Sequence, residues 1–182
     1  MSSLRNASFA IALLPFAAPA QTPATQPAAA PAPPPPCTST EQRQFDFWLG
    51  EWEVRLPDGK RAGRSRIESI LDGCAVQEHW TGASGFSGKS FNVYNGAIGR
   101  WEQFWVSHGG GRLHLVGGLR DGAMVLAGER QKPDSETGKL PRERVTWTAE
   151  ADGSVRQLWE TSKDDGASWQ VTFDGRYRRP AD

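Results

Sequence analysis

Gly50-Glu51-Trp52-Glu53-Val54-Arg55 alternates strictly: Gly50, Trp52 and Val54 share one face with Trp48, while Glu51, Glu53 and Arg55 share the other. A period of two places successive side chains on opposite faces of a strand, one face against a core and one toward water. Asp58-Gly59 then supplies the left-handed residues that a tight hairpin turn needs. The same punctuation recurs at Asp72-Gly73, Asn95-Gly96, Gly109 to Gly111, Asp121-Gly122, Asp152-Gly153 and Asp165-Gly166. Between these turns lie ten segments of strand length, near 48–56, 61–71, 74–81, 87–95, 100–108, 112–119, 122–130, 142–150, 153–162 and 168–178. Consecutive strands joined by tight turns predict an all-β antiparallel meander. Closing it as an up-and-down barrel removes the exposed edges, and a two-sheet sandwich is the alternative. Thr38-x-x-Glu41 has the form of a capping box and predicts one short N-terminal helix over Thr40 to Phe47.

Extending the alternation around the barrel turns Val76, Trp80, Trp101, Trp105, Val145, Trp147, Val155 and Trp159 inward, followed by Trp169, Val171, Phe173 and Tyr177 on the last strand. Three polar residues stand among them where apolar ones are expected: Glu78, Gln103 and Gln157. A buried polar group without a partner costs roughly 1 to 3 kcal/mol, so three on separate strands call for a shared partner. Either they bond one another and fix the register, or they orient a bound molecule. On the second reading Glu78, Gln103 and Gln157 hold the polar part of a ligand whose apolar body contacts Trp80, Trp105, Trp147 and Trp159.

The 182 residues divide sharply in composition. Arg5 precedes the apolar run Phe9 to Ala17, and Ala18-Pro19-Ala20 has the small-x-small form that a signal peptidase accepts, so residues 1–20 read as a secretory signal peptide. Residues 21–38 are rich in Ala, Pro, Thr and Gln, with Pro33 to Pro36 consecutive, and read as a disordered polyproline-like spacer. All 20 glycines and all eight tryptophans fall later, so residues 39–182 form the single folded domain. Export, to the periplasm or outside the cell, makes a disulfide between the two cysteines, Cys37 and Cys74, the default. Such a bridge closes a loop of about 37 residues and is worth about 3 to 4 kcal/mol in the chain-entropy model. With 21 basic against 21 acidic residues and no basic stretch, the chain lacks the electrostatic footprint of a nucleic-acid binder. It contains no apolar run long enough for a membrane-spanning helix.

Phe45-Asp46-Phe47-Trp48-Leu49-Gly50-Glu51-Trp52 resembles the opening of an uncharacterised, often exported, lipocalin-like family of bacterial domains. Gly50-Glu51-Trp52 itself resembles the G-x-W signature of lipocalins and other calycins. The likeness continues through Gly73-Cys74, Glu78-His79-Trp80, Asp121-Gly122 and Trp159-Glu160 to Phe173-Asp174-Gly175-Arg176-Tyr177-Arg178, and so spans the domain. It implies a calycin-type barrel without an established activity. It also implies structural roles for Gly50 and Trp52, with Arg176 or Arg178 packed over the Trp52 ring.

Catalytic patterns are sparse. His79 and His114 fall on outward parity and His108 borders the Gly109 to Gly111 turn, so no histidine pair converges on a metal. No nucleophile elbow, phosphate loop or dinucleotide fingerprint appears, and no cofactor is expected. Glu160 faces solvent by parity and does not pair with Glu78. Ser162-Lys163-Asp164-Asp165-Gly166-Ala167-Ser168-Trp169 resembles the Asp-box hairpin of propeller proteins, but a single copy reads as a local turn. The expected function is binding of a small hydrophobic or aromatic molecule inside an exported barrel. The alternatives are an enzyme with Glu78 as general base, which burial would prepare by raising its pKa, and a structural envelope protein with a filled interior. Nothing in the sequence sets an oligomeric state.

Overall fold

The computed structural model describes residues 36–180, so the expected signal peptide, most of the spacer and the last two residues lie outside the described part. Ten antiparallel strands close into one barrel: β1 (Gly50–Arg55), β2 (Arg61–Ile70), β3 (Ala75–Gly82), β4 (Ser87–Asn95), β5 (Arg100–Ser107), β6 (Arg112–Arg120), β7 (Ala123–Glu129), β8 (Arg142–Ala149), β9 (Val155–Ser162) and β10 (Gln170–Arg178). Each strand pairs with its neighbours in sequence, and β1 pairs with β10 to close the ring. Up-and-down order puts alternate connections at opposite ends. Those at 56–60, 83–86, 108–111, 130–141 and 163–169 surround one end, called the mouth here.

The opposite end is plugged. The expected short N-terminal helix is present and takes the form of two 3-10 turns, Glu41–Arg43 and Asp46–Trp48. The cap also shifts by one residue from Thr38/Glu41: the Ser39 amide donates to Gln42 Oε1 at 3.2 Å, and the Gln42 amide donates to Ser39 Oγ at 3.4 Å. Two separate turns let Phe45 and Trp48 both point into the barrel, where each is fully buried. Phe45 stacks on Trp48 at 5.1 Å and meets the edges of Trp101 and Trp147 at 5.6 and 5.2 Å. Trp101 Nε1 donates back to the Glu41 carbonyl at 3.2 Å, so ring packing and a hydrogen bond fix the plug together. Cys37 and Cys74 are joined, which ties the residues just before the plug to the turn entering β3.

At the start of β1 the Trp52 indole donates to the Trp48 carbonyl at 2.8 Å. A cation covers its ring, but it is neither Arg176 nor Arg178. Arg176 and Arg178 flank the inward Tyr177 and therefore project outward, toward Glu150 at 3.9 Å and Asp152 at 3.5 Å. Arg179, just past the strand, is free of that alternation. Its guanidinium carbon lies 3.8 Å from the Trp52 ring centroid, and Nη2 donates to the Leu49 carbonyl at 2.9 Å. Gly50 makes room for it: the backbone there has φ +123°, and a Cβ would stand 1.7 Å from Arg179 Nη1.

Inward parity also breaks once in β10. Val171 pairs with Glu160 and Phe173 with Trp159, so Thr172 is an extra residue in a bulge. Trp169 and Val171, expected inside, therefore lie outside. Val171 is 62% exposed and Trp169 packs under the Arg144 guanidinium at 4.1 Å. The turn before Trp169 is local, as its sequence indicates: Asp164 Oδ1 accepts from the Ser168 amide at 2.8 Å and from Ser162 Oγ at 2.7 Å.

Trp52→Ala should cost about 3 to 5 kcal/mol through the cavity it opens beside the plug. Arg179→Ala should cost about 1 kcal/mol, whereas Arg176→Ala and Arg178→Ala should each stay within about 0.5 kcal/mol, as exposed ion pairs do. Urea unfolding of the four variants checks the ranking, and an Arg178 effect larger than that of Arg179 would contradict it.

Candidate functional site

Above the plug the barrel is not filled. A chamber of about 350 Å³ opens at the mouth, and six of the seven residues expected to contact a ligand line it: Glu78, Trp80, Gln103, Trp105, Gln157 and Trp159. Trp147 is the exception. It is fully buried in the plug, 5.4 Å from Trp48, because alternation tells which face a residue takes and not how far along the barrel it sits.

Small cross-strand partners create the space. Trp80 on β3 pairs with Ser65 on β2 and Gly88 on β4, and Trp105 on β5 pairs with Ser90. The indoles spread over these short side chains. At Gly88 a Cβ would come within 2.9 Å of Trp105 Nε1. Around the chamber Trp105 meets Trp159 edge-on at 5.9 Å, and Trp80 meets Phe173 in the same manner at 6.0 Å. Phe86, in a mouth turn, stands 6.1 Å from Trp105. These aromatic walls enclose a polar floor.

Glu78 anchors that floor. Ser65 Oγ donates to Glu78 Oε1 at 3.0 Å, and Ser90 Oγ donates to Oε2 at 3.1 Å. Asn92 Nδ2 donates to Ser90 Oγ at 3.2 Å and to the Val76 carbonyl at 3.1 Å, and Gln103 Nε2 donates to Asn92 Oδ1 at 2.9 Å. A continuous chain of side-chain hydrogen bonds thus runs from β2 to β5. On the opposite wall the Tyr177 hydroxyl donates to Gln157 Oε1. Burial pushes the Glu78 carboxyl up from 4.5 to about 7, against the opposing pull of the two serine hydroxyls. Burial and the nearby Glu78 hold the Tyr177 hydroxyl well above its ordinary range. Within this floor the Gln103 carbonyl oxygen and the Gln157 amide nitrogen have no hydrogen-bond partner among the described residues, and both side chains border the chamber.

A second carboxylate, absent from the sequence-based set, lies on the inner face of β8. Glu143 is fully buried and accepts hydrogen bonds from Trp159 Nε1, from Arg130 Nε and, at 2.8 Å, from Thr161 Oγ1. Parity would have found it, since Glu143 is two residues before the inward Val145. Glu160 points outward as expected and pairs with Arg144 at 2.9 Å. His79 and His114 are on the outer face near Glu68 and Glu102, and His108 Nδ1 accepts from the Ser87 amide at the mouth. Among the described residues no three His, Cys, Asp or Glu side chains gather as metal ligands.

Chemically, the chamber offers flat apolar walls for a ring or chain, together with an acceptor at Gln103, a donor at Gln157 and a carboxyl at Glu78 that changes charge near neutrality. No protein-family model matches this chain, and no curated protein matches it.

The position of Glu78 has a consequence for stability. A carboxyl whose pKa is higher in the folded state than in the unfolded chain favours folding fully below its unfolded value of 4.5, and that contribution is lost as pH rises through about 7. The loss amounts to about 3 kcal/mol. Glu78→Gln should flatten this part of the stability profile and make the protein more stable than wild type at pH 8. Urea unfolding at intervals from pH 4.5 to 8 tests it; parallel profiles for the two proteins would rule it out.

Proposed function

We propose that this protein binds one small molecule with an aromatic or apolar body and a hydrogen-bonding group, and carries or sequesters it outside the cytoplasm. The observation that carries this reading is the open chamber of about 350 Å³, walled by Trp80, Trp105, Trp159 and Phe173 over Glu78, Gln103 and Gln157. That volume is at the lower end for small-molecule sites, and few convergent polar groups in an apolar cavity is how such sites achieve orientation. The Cys37–Cys74 bridge supports action in an oxidising compartment. The closed barrel, with Arg179 stacked on Trp52, supports the resemblance to calycin-type barrels. A purely structural role does not account for an interior left open above the plug.

One observation favours catalysis as a second reading: Glu78, with a carboxyl near 7 inside a chamber, has the property a general base requires. Both of its oxygens are engaged by Ser65 and Ser90, which makes the carboxyl a fixed recognition element more readily than a mobile base.

Titration with the neutral fluorophore 1-aminoanthracene tests the reading. Saturable one-to-one binding that quenches tryptophan emission is expected. Gln103→Leu should weaken binding by about 1 to 3 kcal/mol by leaving the ligand's polar group unpaired. Absence of saturable binding, or an unchanged affinity in a variant whose melting curve shows it folded, would contradict the assignment.

A further inference from the structure

Beside the chamber the mouth widens into a shelf between the 108–111 turn and the start of the 130–141 connection. Gly109, Gly110 and Gly111 form one side, and Arg112, Arg130 and Lys132 line the rest, with no acidic side chain among the lining residues. Trp105, Leu113 and Trp159 border both shelf and chamber, so the two spaces share a wall. A molecule seated against those indoles can extend onto the shelf.

The three cations differ in how they are held. Arg130 is fixed through Nε by the buried Glu143, which also receives the Trp159 indole N–H, so one carboxylate orients both the arginine and the ring beside it. Binding through Nε leaves the Nη groups of the guanidinium, the two-pronged face suited to a carboxylate, sulfonate or phosphate. Arg112 and Lys132 make no ion pair among the described residues. Glu143 neutralises one charge of the three, which leaves the shelf with a local excess of positive charge on a chain whose formal net charge is +0. The chamber floor has the opposite character, because Glu78 lies there and in its ionised form repels an anion placed deep in the barrel.

Building on the chamber reading, we propose that the ligand is an amphipathic organic anion, its apolar body against the chamber faces of Trp105 and Trp159 and its anionic group on the shelf among Arg112, Arg130 and Lys132. Glu143 is the positioning residue for that arrangement. The orientation follows from the placement of charge: the anionic end faces the mouth and the neutral end faces Gln103 and Gln157. Entry is favoured by the same cations, which attract an anion toward the opening before it meets the indoles.

The test compares two probes of nearly equal size, 1-naphthaleneacetate and the neutral 2-(1-naphthyl)ethanol, titrated calorimetrically into the full exported chain at low and high salt. The acetate should bind about tenfold more tightly than the alcohol at low salt, and the difference should shrink at 0.5 M salt, as expected for screening on the order of 3 to 10 Å. Arg112→Gln with Lys132→Gln should abolish most of that preference while leaving alcohol affinity unchanged. These two are chosen over Arg130 because its removal would strand the buried Glu143 carboxylate and threaten the fold. Equal affinity for the two probes, or a preference that survives the double substitution, overturns the anion assignment and leaves the chamber reading standing. Binding of neither probe overturns both.

Discussion

Phe45 and Trp48 enter the barrel from below, and their contacts with Trp101, Trp147 and Tyr177 decide where the protein is solid and where it is open. A ten-stranded barrel encloses more space than its own inward side chains need to fill, so something must close one end. Here the closure is made of large rings brought in by a segment outside the sheet. That segment is held by the Cys37–Cys74 bridge, by the Trp101 indole on the Glu41 carbonyl and by the Trp52 indole on the Trp48 carbonyl. Arg179 covers the exposed side of Trp52, so the two ends of the domain meet beneath the barrel.

With that end sealed, the upper interior can stay open only if its polar groups are satisfied. Ser65, Ser90 and Asn92 do this for Glu78 and Gln103, each buried on a strand next to the group it serves. A polar network with all its members paired fixes a single arrangement, whereas a partly paired one is costly. The floor is paired on its lower side and presents free polar atoms to the chamber, which is the arrangement a recognition surface requires. Glu143 repeats the pattern at the mouth: three protein donors satisfy a buried carboxylate, and the arginine it holds faces the opening.

The barrel was legible in the sequence because turn residues and alternation are local signals, repeated ten times with little interruption. All ten strands lie close to their expected segments, and seven of the nine connections between them carry an Asp-Gly, Asn-Gly or Gly-Gly pair. The failures each mark something that no local pattern carries. The Thr172 bulge reverses parity for Trp169 and Val171 without any glycine to announce it. Trp147 is inside as expected but at the wrong height, which depends on register across several strands. Arg179 rather than Arg176 or Arg178 covers Trp52 because it lies beyond the last alternating residue. Ser65, Ser90, Asn92 and Glu143 follow the inward parity too, but they do not interrupt a run of large apolar residues as Glu78, Gln103 and Gln157 do, so no irregularity in the sequence marks them.

The tryptophans of the barrel interior divide into a sealed plug and an accessible chamber. Proton–nitrogen correlation spectra of the indole N–H groups, recorded while 1-aminoanthracene is added to the folded protein, separate the two sets directly. The signals of Trp80, Trp105 and Trp159 should shift in proportion to occupancy, while those of Trp48, Trp52, Trp101 and Trp147 should stay in place. Shifts confined to the plug set, or spread evenly over all of them, would mean that the interior is not divided in this way.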